Sequence, residues 1–350
     1  MFVCDKAFEH QARGLMKNNA DKPVETKVIA AGKLRRYSHL SFWQHFLVPG
    51  LALSNIVDIA KVGWGVVQSV AIFASFRPDV VFAKGGYVCL PVGIVAHLLR
   101  VPLVIHDSDA RPGITNKILS RWAIKIATGA PLDNYNYPVD RSVYVGVPIA
   151  KSFHPYDEQA MNAAKRSLGF AETQPLVVVT GGGLGAKTIN DAIVKCASQL
   201  LDCGVGIYHV TGKKHYDEVI AAATSDVNYK IVPFVFDAMP DVLGAADVVV
   251  SRASATFIQE LAGLAKPAVL VPSRALGDQI RNANAYKAAD AAIVCTDDEL
   301  EQSGYLKDIL FKLLNDESRR KSLSSALHEF AKPQAAIDVA RLIIDASDSR

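Results

Sequence analysis

Short runs rich in Val and Ile recur along the chain, each followed by a helix-length segment, and this alternation most constrains the fold. The runs are continuously apolar, which is typical of parallel strands covered on both faces. Strands are predicted at 79–83, 102–107, 124–128 and 142–146, and again at 175–180, 206–211, 229–234, 247–251, 267–272 and 291–296. The alternation predicts an α/β fold of two doubly wound, Rossmann-like domains facing a cleft.

A joint containing Pro148 and Pro155 separates two sets of strand–helix pairs. The 350 residues suit two domains of ordinary size. We expect an N-terminal domain at 1–150, a C-terminal domain at 151–332, and a final helix within 333–350 that packs back toward the first domain.

Composition and charge exclude several classes of protein. Half of the residues are hydrophobic and 21% are charged, which excludes a disordered chain. The five cysteines form no CxxC pair and lie in apolar stretches, so they predict buried free thiols rather than a metal site. Residues 1–150 carry 17 Lys and Arg against 10 Asp and Glu, which favours an anionic ligand or surface on that side. No basic stripe is interleaved with aromatic residues, so we expect no nucleic-acid partner.

Membrane association is predicted to be peripheral. The longest apolar run, 62–76, falls short of the ~20 residues of a membrane span, and the first residues lack the apolar core of a secretory signal. Basic residues precede a cluster of aromatic and aliphatic ones, a combination that suits an anionic lipid interface but equally a core helix. The residues are Lys33, Arg35, Arg36, Phe42, Trp43, Phe46, Leu47 and Leu51.

The segment VVVTGGGLGAKTIN (177–190) is the strongest local signal. A predicted strand ends at Thr180, and Gly181, Gly182, Gly183 and Gly185 precede a helix. Backbone without side chains lets an anion approach the N–H groups at a helix start, where the helix dipole favours negative charge. The spacing fits neither GxxxxGK[ST] nor GxGxxG. It predicts a diphosphate cradle, with a tight turn as the alternative.

Two further loops lie in the first half. Gly85 and Gly86, in AKGGYVCLP (83–91), also follow a strand and permit close backbone approach. The loop HDSDARPGITNK (106–117) includes Asp109 and Asn116 in a dense polar patch. Carboxylates there can bind sugar hydroxyls or take up a proton, and a capped helix entry is the alternative.

The segment SRASATFIQE (251–260) places a carboxylate one turn into a helix. Ala255 and Thr256 begin that helix, and Glu260 follows. Acidic residues at such positions bind ribose hydroxyls in nucleotide folds, while a partner for the helix dipole is the alternative. Gln279, in GDQIRNA (277–283), begins a later helix from which it can reach sugar hydroxyls.

Taken in order, these segments resemble the MurG glycosyltransferase family over about residues 2–292. The resemblance implies a GT-B fold and an inverting transfer of N-acetylglucosamine from UDP-GlcNAc to lipid I, forming lipid II in peptidoglycan and cell-wall synthesis. It implies no metal and no cofactor. It also implies a peripheral protein on the cytoplasmic face of the cell membrane.

The resemblance also implies roles for individual residues. Glu260 would bind the uridine ribose, the main chain at Phe236 the uracil, and Gln279 the donor sugar. The UDP phosphates would lie at Gly182, Gly183, Gly185, Ala255 and Thr256. Gly85, Gly86, Asp109 and Asn116 would line the cleft from the N-terminal domain.

The chain departs from the family at its start. The family opens with a strand, a GGxGGH loop and a helix, whereas residues 1–17 resemble its second strand and helix. Neither His10 nor His106 matches the family's base, so the catalytic residue is left unassigned, and we expect the true start to lie upstream. Ala150 replaces a usual Arg and Asp278 a His or Gln, which leaves the choice of donor open.

Three alternatives follow from these departures. The chain could be a GT-B transferase acting on another lipid acceptor. It could be a UDP-sugar epimerase, which needs no acceptor. It could also be a UDP-sugar-binding remnant without catalysis, because the N-terminal loop is missing.

Overall fold

The computed structural model describes residues 1–18, 24–32 and 49–348. The predicted α/β class is confirmed, because every strand pairing in the described residues is parallel. The strands are β1 (Phe2–Cys4), β2 (Thr26–Val28), β3 (Val81–Ala83), β4 (Leu103–Asp107), β5 (Lys125–Thr128), β6 (Ser142–Tyr144), β7 (Leu176–Thr180), β8 (Gly206–Val210), β9 (Tyr229–Val232), β10 (Val248–Ser251), β11 (Ala268–Leu270) and β12 (Ile293–Val294).

Helices connect the strands throughout. They are α1 (Glu9–Asn18), α2 (Pro49–Phe76), α3 (Cys89–Leu98), α4 (Ile114–Leu119), α5 (Glu158–Ser167), α6 (Lys187–Asp202), α7 (Tyr216–Ala222), α8 (Met239–Gly244), α9 (Ala255–Gly263), α10 (Gly277–Ala288), α11 (Asp297–Glu301), α12 (Tyr305–Asn315), α13 (Glu317–His328) and α14 (Ala335–Ser347). Short 3₁₀ turns lie at Leu132–Asn134 and Val139–Arg141. The connections have the length that parallel crossovers require.

The chain divides into two compact units. The first comprises Met1–Asp107, Pro112–Tyr144 and Ile337–Arg350, and the second comprises Ser108–Arg111 and Val145–Ala336. Each unit has its own apolar core, built from the Val- and Ile-rich strands and the helices that cover them.

The first unit contains a four-stranded sheet in the order β3–β4–β5–β6 and a separate pair, β1–β2. Within the described residues, β1 pairs with β2 alone and β3 with β4 alone. Residues of both β1 and β3 line an apolar groove of about 770 Å³, together with Phe73 and Phe76. The Tyr87 hydroxyl donates to Asp5 Oδ2 at 2.5 Å at the groove. One edge of β1 and one edge of β3 therefore carry no strand partner among the described residues.

The second unit contains a six-stranded sheet in the order β12–β11–β10–β7–β8–β9. The chain runs outward from β7 to β9 on one side and from β10 to β12 on the other, so strand order reverses between β7 and β10. Register pairs Thr180 with both Ser251 and Val210. The loops after β7, β8 and β10 therefore leave the sheet side by side.

Helix α2 is longer than the 15-residue apolar run suggested. Its segment Ile56–Phe76 has a mean hydropathy of 1.5 and is long and apolar enough, by length and composition alone, to cross a membrane. Asp58 and Lys61 interrupt the apolar sequence, so the longest apolar run begins only at residue 62. The predicted basic and aromatic cluster from Lys33 to Leu47 lies outside the described residues, and Leu51 falls in α2.

Candidate functional site

The candidate site lies at the carboxyl edge of the six-stranded sheet, where strand order reverses. In doubly wound sheets, ligands bind at such a switch point, outside the carboxyl ends of the strands. The glycine loop (residues 181–186) follows β7, and residues 252–254 follow β10 beside it. Both loops lead directly into helices, α6 and α9.

The glycine loop has an open face and a packed face. A Cβ added to Gly182 or Gly183 would meet nothing within 4 Å, whereas one on Gly185 would lie 2.1 Å from the carbonyl oxygen of Thr211. Gly182 and Gly185 have φ angles of 78° and 75°, which glycine adopts without strain. The side chain of Ala186, the N-cap of α6, cannot cap the helix, so its first N–H groups are free of a capping side chain. An anion can therefore approach this backbone closely.

A buried polar network supports the packed face. Asn190 Nδ2 donates to the Thr211 carbonyl at 3.0 Å, and Asn190 Oδ1 lies 3.0 Å from His209 Nε2. The Tyr229 hydroxyl lies 3.1 Å from His209 Nδ1. Burial lowers the pKa of His209 to about 4, so the ring is neutral near pH 7. Because Asn190 Oδ1 can only accept, Nε2 carries the proton and Nδ1 accepts from Tyr229.

Helix α9 begins at the same edge and contains three predicted residues. Ser254 is its N-cap but makes no side-chain capping bond, and Ala255 and Thr256 form the first turn. Glu260 is partly buried, and burial raises its pKa to about 7. A carboxylate can accept two hydroxyl donors from one ribose, and this role of Glu260 stays a prediction.

Gln279 and Asn282 lie on α10. Gln279 Oε1 accepts the Ser273 N–H at 3.0 Å, which leaves its amide nitrogen as the group available to a sugar hydroxyl. Asn282 is buried and fully engaged. Its Nδ2 donates to Asp109 Oδ1 at 3.1 Å and to the Ala253 carbonyl, and its Oδ1 accepts the Ala110 N–H at 3.1 Å.

Asp109 was expected to line the cleft from the N-terminal domain. Residues 108–111 instead belong to the second unit, where Asn282 donates to the Asp109 carboxylate and accepts the Ala110 N–H. Burial raises the pKa of Asp109, and the Asn282 bond opposes that effect. Sequence reasoning missed Asn282, although it lies in the GDQIRNA segment.

In the first unit, Gly85 and Asn116 come together as neighbours. Gly85 has a φ of 85°, and a Cβ there would lie 3.0 Å from Asn116 Nδ2. Asn116 is fully buried and donates to the His106 carbonyl at 2.9 Å, and its Oδ1 has no hydrogen-bond partner within the described residues. A Cβ on Gly86 would meet nothing within 4 Å. The loop after β3 thus has one packed glycine and one open glycine.

The last predicted site residue, Phe236, lies on the surface. Phe236 follows β9 and is 64% exposed, with its ring 6.3 Å from that of Phe234. Among the described residues, no group of three His, Cys, Asp or Glu could hold a metal ion. The expectation that all five cysteines are buried is wrong for Cys203, which is exposed just after α6.

Comparison with known proteins relates this geometry to a family. Residues 11–128 match the N-terminal domain of glycosyltransferase family 28, and residues 176–339 match its C-terminal domain. A Clostridium botulinum protein (strain Loch Maree) is 32% identical over 289 residues, 82% of this chain and 76% of its own length. A Listeria monocytogenes protein (strain EGD-e) is 32% identical over 299 residues, 84% of this chain and 81% of its own length.

Both relatives are named UDP-N-acetylglucosamine–N-acetylmuramyl-(pentapeptide) pyrophosphoryl-undecaprenol N-acetylglucosamine transferase. The crystal structure of Acinetobacter baumannii MurG superposes with a TM-score of 0.68 at 22% identity, covering 98% of this chain and 90% of that one. This likeness confirms the predicted GT-B fold.

Proposed function

Because the chain belongs to the MurG family of glycosyltransferases, we propose that it transfers N-acetylglucosamine from UDP-N-acetylglucosamine to lipid I. The acceptor is the undecaprenyl-pyrophosphoryl N-acetylmuramyl-pentapeptide, and the product is lipid II. One observation carries the proposal for this chain. The glycine loop and α9, with Glu260, flank the switch point of one parallel sheet, where a nucleoside diphosphate binds in such folds.

The second unit binds the donor, UDP-N-acetylglucosamine. UDP leaves with additional negative charge, and preorganised N–H groups stabilise such charge without a metal. The open backbone at Gly182 and Gly183 and the first turns of α6 and α9 supply those groups. Glu260 accepts the ribose hydroxyls, the main chain at Phe236 meets the uracil, and Gln279 donates to the sugar.

The transfer itself is a single displacement. The C4 hydroxyl oxygen of the muramyl sugar attacks C1 of the donor, the bond from C1 to the diphosphate oxygen breaks, and the hydroxyl proton passes to a base. We assign no residue to that base. His106 is fully buried in β4, so it cannot reach an acceptor from this position.

The acceptor carries a lipid, so the protein works at the cytoplasmic membrane surface as a peripheral enzyme. Helix α2 supports this part of the proposal, because Ile56, Ile59, Trp64 and Val67 are all more than half exposed. Exposed apolar side chains on one helix are consistent with an interaction surface.

The test is an acceptor assay with purified protein and UDP-GlcNAc labelled in the sugar. We expect label in the lipid fraction when a lipid I analogue is supplied, and none with diacylglycerol or without acceptor. Transfer to diacylglycerol instead would support a transferase for another lipid. Conversion of the donor to another UDP-sugar without acceptor would indicate an epimerase.

A binding measurement completes the test. UDP binding by calorimetry, together with no transfer to any acceptor, would show that the chain binds the donor without catalysis and would contradict the proposal. Glu260→Ala provides the matched variant, and we expect it to weaken UDP binding at unchanged fold content.

A further inference from the structure

A buried carboxylate, Asp297, ties together the two helix starts that flank the switch point. It is the first residue of α11, and its side chain is 5% exposed. Thr296 and Glu299 cap that helix reciprocally, which fixes its first turn and with it the backbone of Asp297. The carboxylate is then directed into the unit, toward the loops after β10 and β11.

Three donors converge on the Asp297 carboxylate. The Thr188 hydroxyl donates to Asp297 Oδ1 at 2.6 Å, and Arg252 Nη1 donates to the same oxygen at 2.7 Å. The Arg274 N–H donates to Oδ2 at 3.2 Å. Arg252 Nη2 donates in turn to the Thr188 oxygen at 2.8 Å, and Nη1 also reaches the Val271 carbonyl. Both oxygens of Asp297 therefore accept hydrogen bonds, and Arg252 and Thr188 are bonded to each other as well as to Asp297.

The two partners of Asp297 sit at the ends of the loops that bind phosphate in the proposed function. Thr188 is the second residue of α6, two positions after the glycine loop ends at Ala186. Arg252 lies two positions before Ser254, the N-cap of α9. The hydrogen bond from Arg252 to Thr188 therefore joins the first turn of α6 to the residues just before α9.

Arg252, Asp297 and Thr188 depend on one another for charge balance and orientation. An Arg that is 14% exposed needs a counter-charge, and Asp297 supplies it. Burial raises the pKa of Asp297, but the hydrogen bonds from Thr188, Arg252 and the Arg274 N–H, together with the charge of Arg252, lower the pKa below its usual range. The carboxylate is thus ionised at neutral pH, and the hydroxyl of Thr188 is oriented by donating to it.

We propose that Asp297 is a positioning residue for the donor diphosphate, acting through Thr188 and Arg252 to fix the α6 and α9 N-termini at one spacing. This inference rests on the proposed function, since it assigns the diphosphate to those two helix starts. Asp297 does not touch the donor. Displacements of about 1 Å in binding groups are enough to cost large factors in rate or affinity, so the link matters at a distance.

The test compares variants in UDP affinity, measured by calorimetry, and in KM and kcat for transfer. Asp297→Asn removes the charge at constant shape, and Thr188→Val removes the bridging hydroxyl without a charge change. We expect about a 10-fold higher Kd for UDP and KM for the donor in Asp297→Asn, and about 3- to 10-fold in Thr188→Val, with a smaller change in kcat.

Two controls make the result specific. Asp298→Asn removes the next carboxylate, which is 77% exposed and paired with Arg274 at 2.8 Å, and should leave UDP affinity unchanged. Thr188→Ser retains the hydroxyl and should bind UDP within about 2-fold of wild type.

The outcomes separate this inference from the proposed function. If wild type binds UDP and Thr188→Val binds it equally well while melting at a lower temperature, the cluster is structural only and the inference is overturned. If wild type binds no UDP, the proposed function fails and this inference fails with it. Loss of affinity in Asp298→Asn equal to that in Asp297→Asn would also overturn it.

Discussion

Gly185 and Thr211 are in direct backbone contact, because a Cβ on Gly185 would lie 2.1 Å from the Thr211 carbonyl oxygen. Gly212 faces the same contact, with its own Cβ position 2.5 Å from Gly185 Cα. Both glycines have positive φ angles, 75° and 81°. The loops after β7 and β8 are thus packed so closely that no side chain fits between them.

Gly185→Ala should therefore destabilise the second unit and weaken UDP binding. The left-handed conformation costs a non-glycine residue about 1–2 kcal/mol, and displacing the Thr211 carbonyl adds to that cost. Chemical denaturation and UDP calorimetry would measure the two effects. Gly183→Ala is the matched control, because its Cβ position is open, and its unfolding free energy should stay within about 0.5 kcal/mol of wild type.

Glu260 should make the protein less stable as pH rises. Burial raises its pKa from 4.5 to about 7, so the folded state holds a proton that the unfolded state has lost between those values. Stability from this group is full below pH 4.5 and is lost as pH rises through 7, a change of about 3 kcal/mol. Glu260→Gln should remove that slope and weaken UDP binding. An unchanged pH profile in the variant would contradict the shifted pKa.

His209 should make the protein less stable as pH falls. Burial lowers its pKa from 6.5 to about 4, so the unfolded state binds the extra proton in that interval. Its contribution is full above pH 6.5 and is lost as pH falls through 4, again about 3 kcal/mol. Denaturation of His209→Gln at several pH values should lack this loss on acidification. A variant that loses stability as steeply as wild type would exclude His209 as its source.

Asn282→Ala should destabilise the second unit by about 1–3 kcal/mol, since it strands the Ala110 N–H and the Ala253 carbonyl. It should also raise the pKa of Asp109 further, because the Asn282 bond lowers it. Thermal unfolding and titration of Asp109 by NMR would measure the two effects. Asn284→Ala, at an exposed position on the same helix, should change neither quantity.

The strands of the four-stranded and six-stranded sheets were predictable because their signal is local. The run predicted at 175–180 is β7 at Leu176–Thr180, and the run at 206–211 is β8 at Gly206–Val210. Continuous burial makes such strands uniformly apolar, so the pattern survives in a single sequence. The glycine loop was predictable for a related reason, since positive φ angles select glycine itself.

The long-range hydrogen bonds that hold these loops in place were not predictable. Asp297 lies 109 residues from Thr188 in the chain, and Asn190 lies 19 from His209. Nothing in the local pattern around an Asp, a Thr or a His indicates which distant group it will meet. Arg252 stood in a segment already singled out, but its pairing with Asp297 depends on the sheet order. Such contacts depend on the tertiary fold and leave no periodic pattern in the sequence.

Among the described residues, one edge of β1 and one edge of β3 have no strand partner, and such edges make association depend on protein concentration. An edge strand offers a row of unpaired N–H and C=O groups, which a strand of a second molecule can pair with. Here two such edges border one apolar groove, with Phe82 exposed on β3 and Phe8 exposed after β1. At high protein concentration, we therefore expect self-association through these two edges.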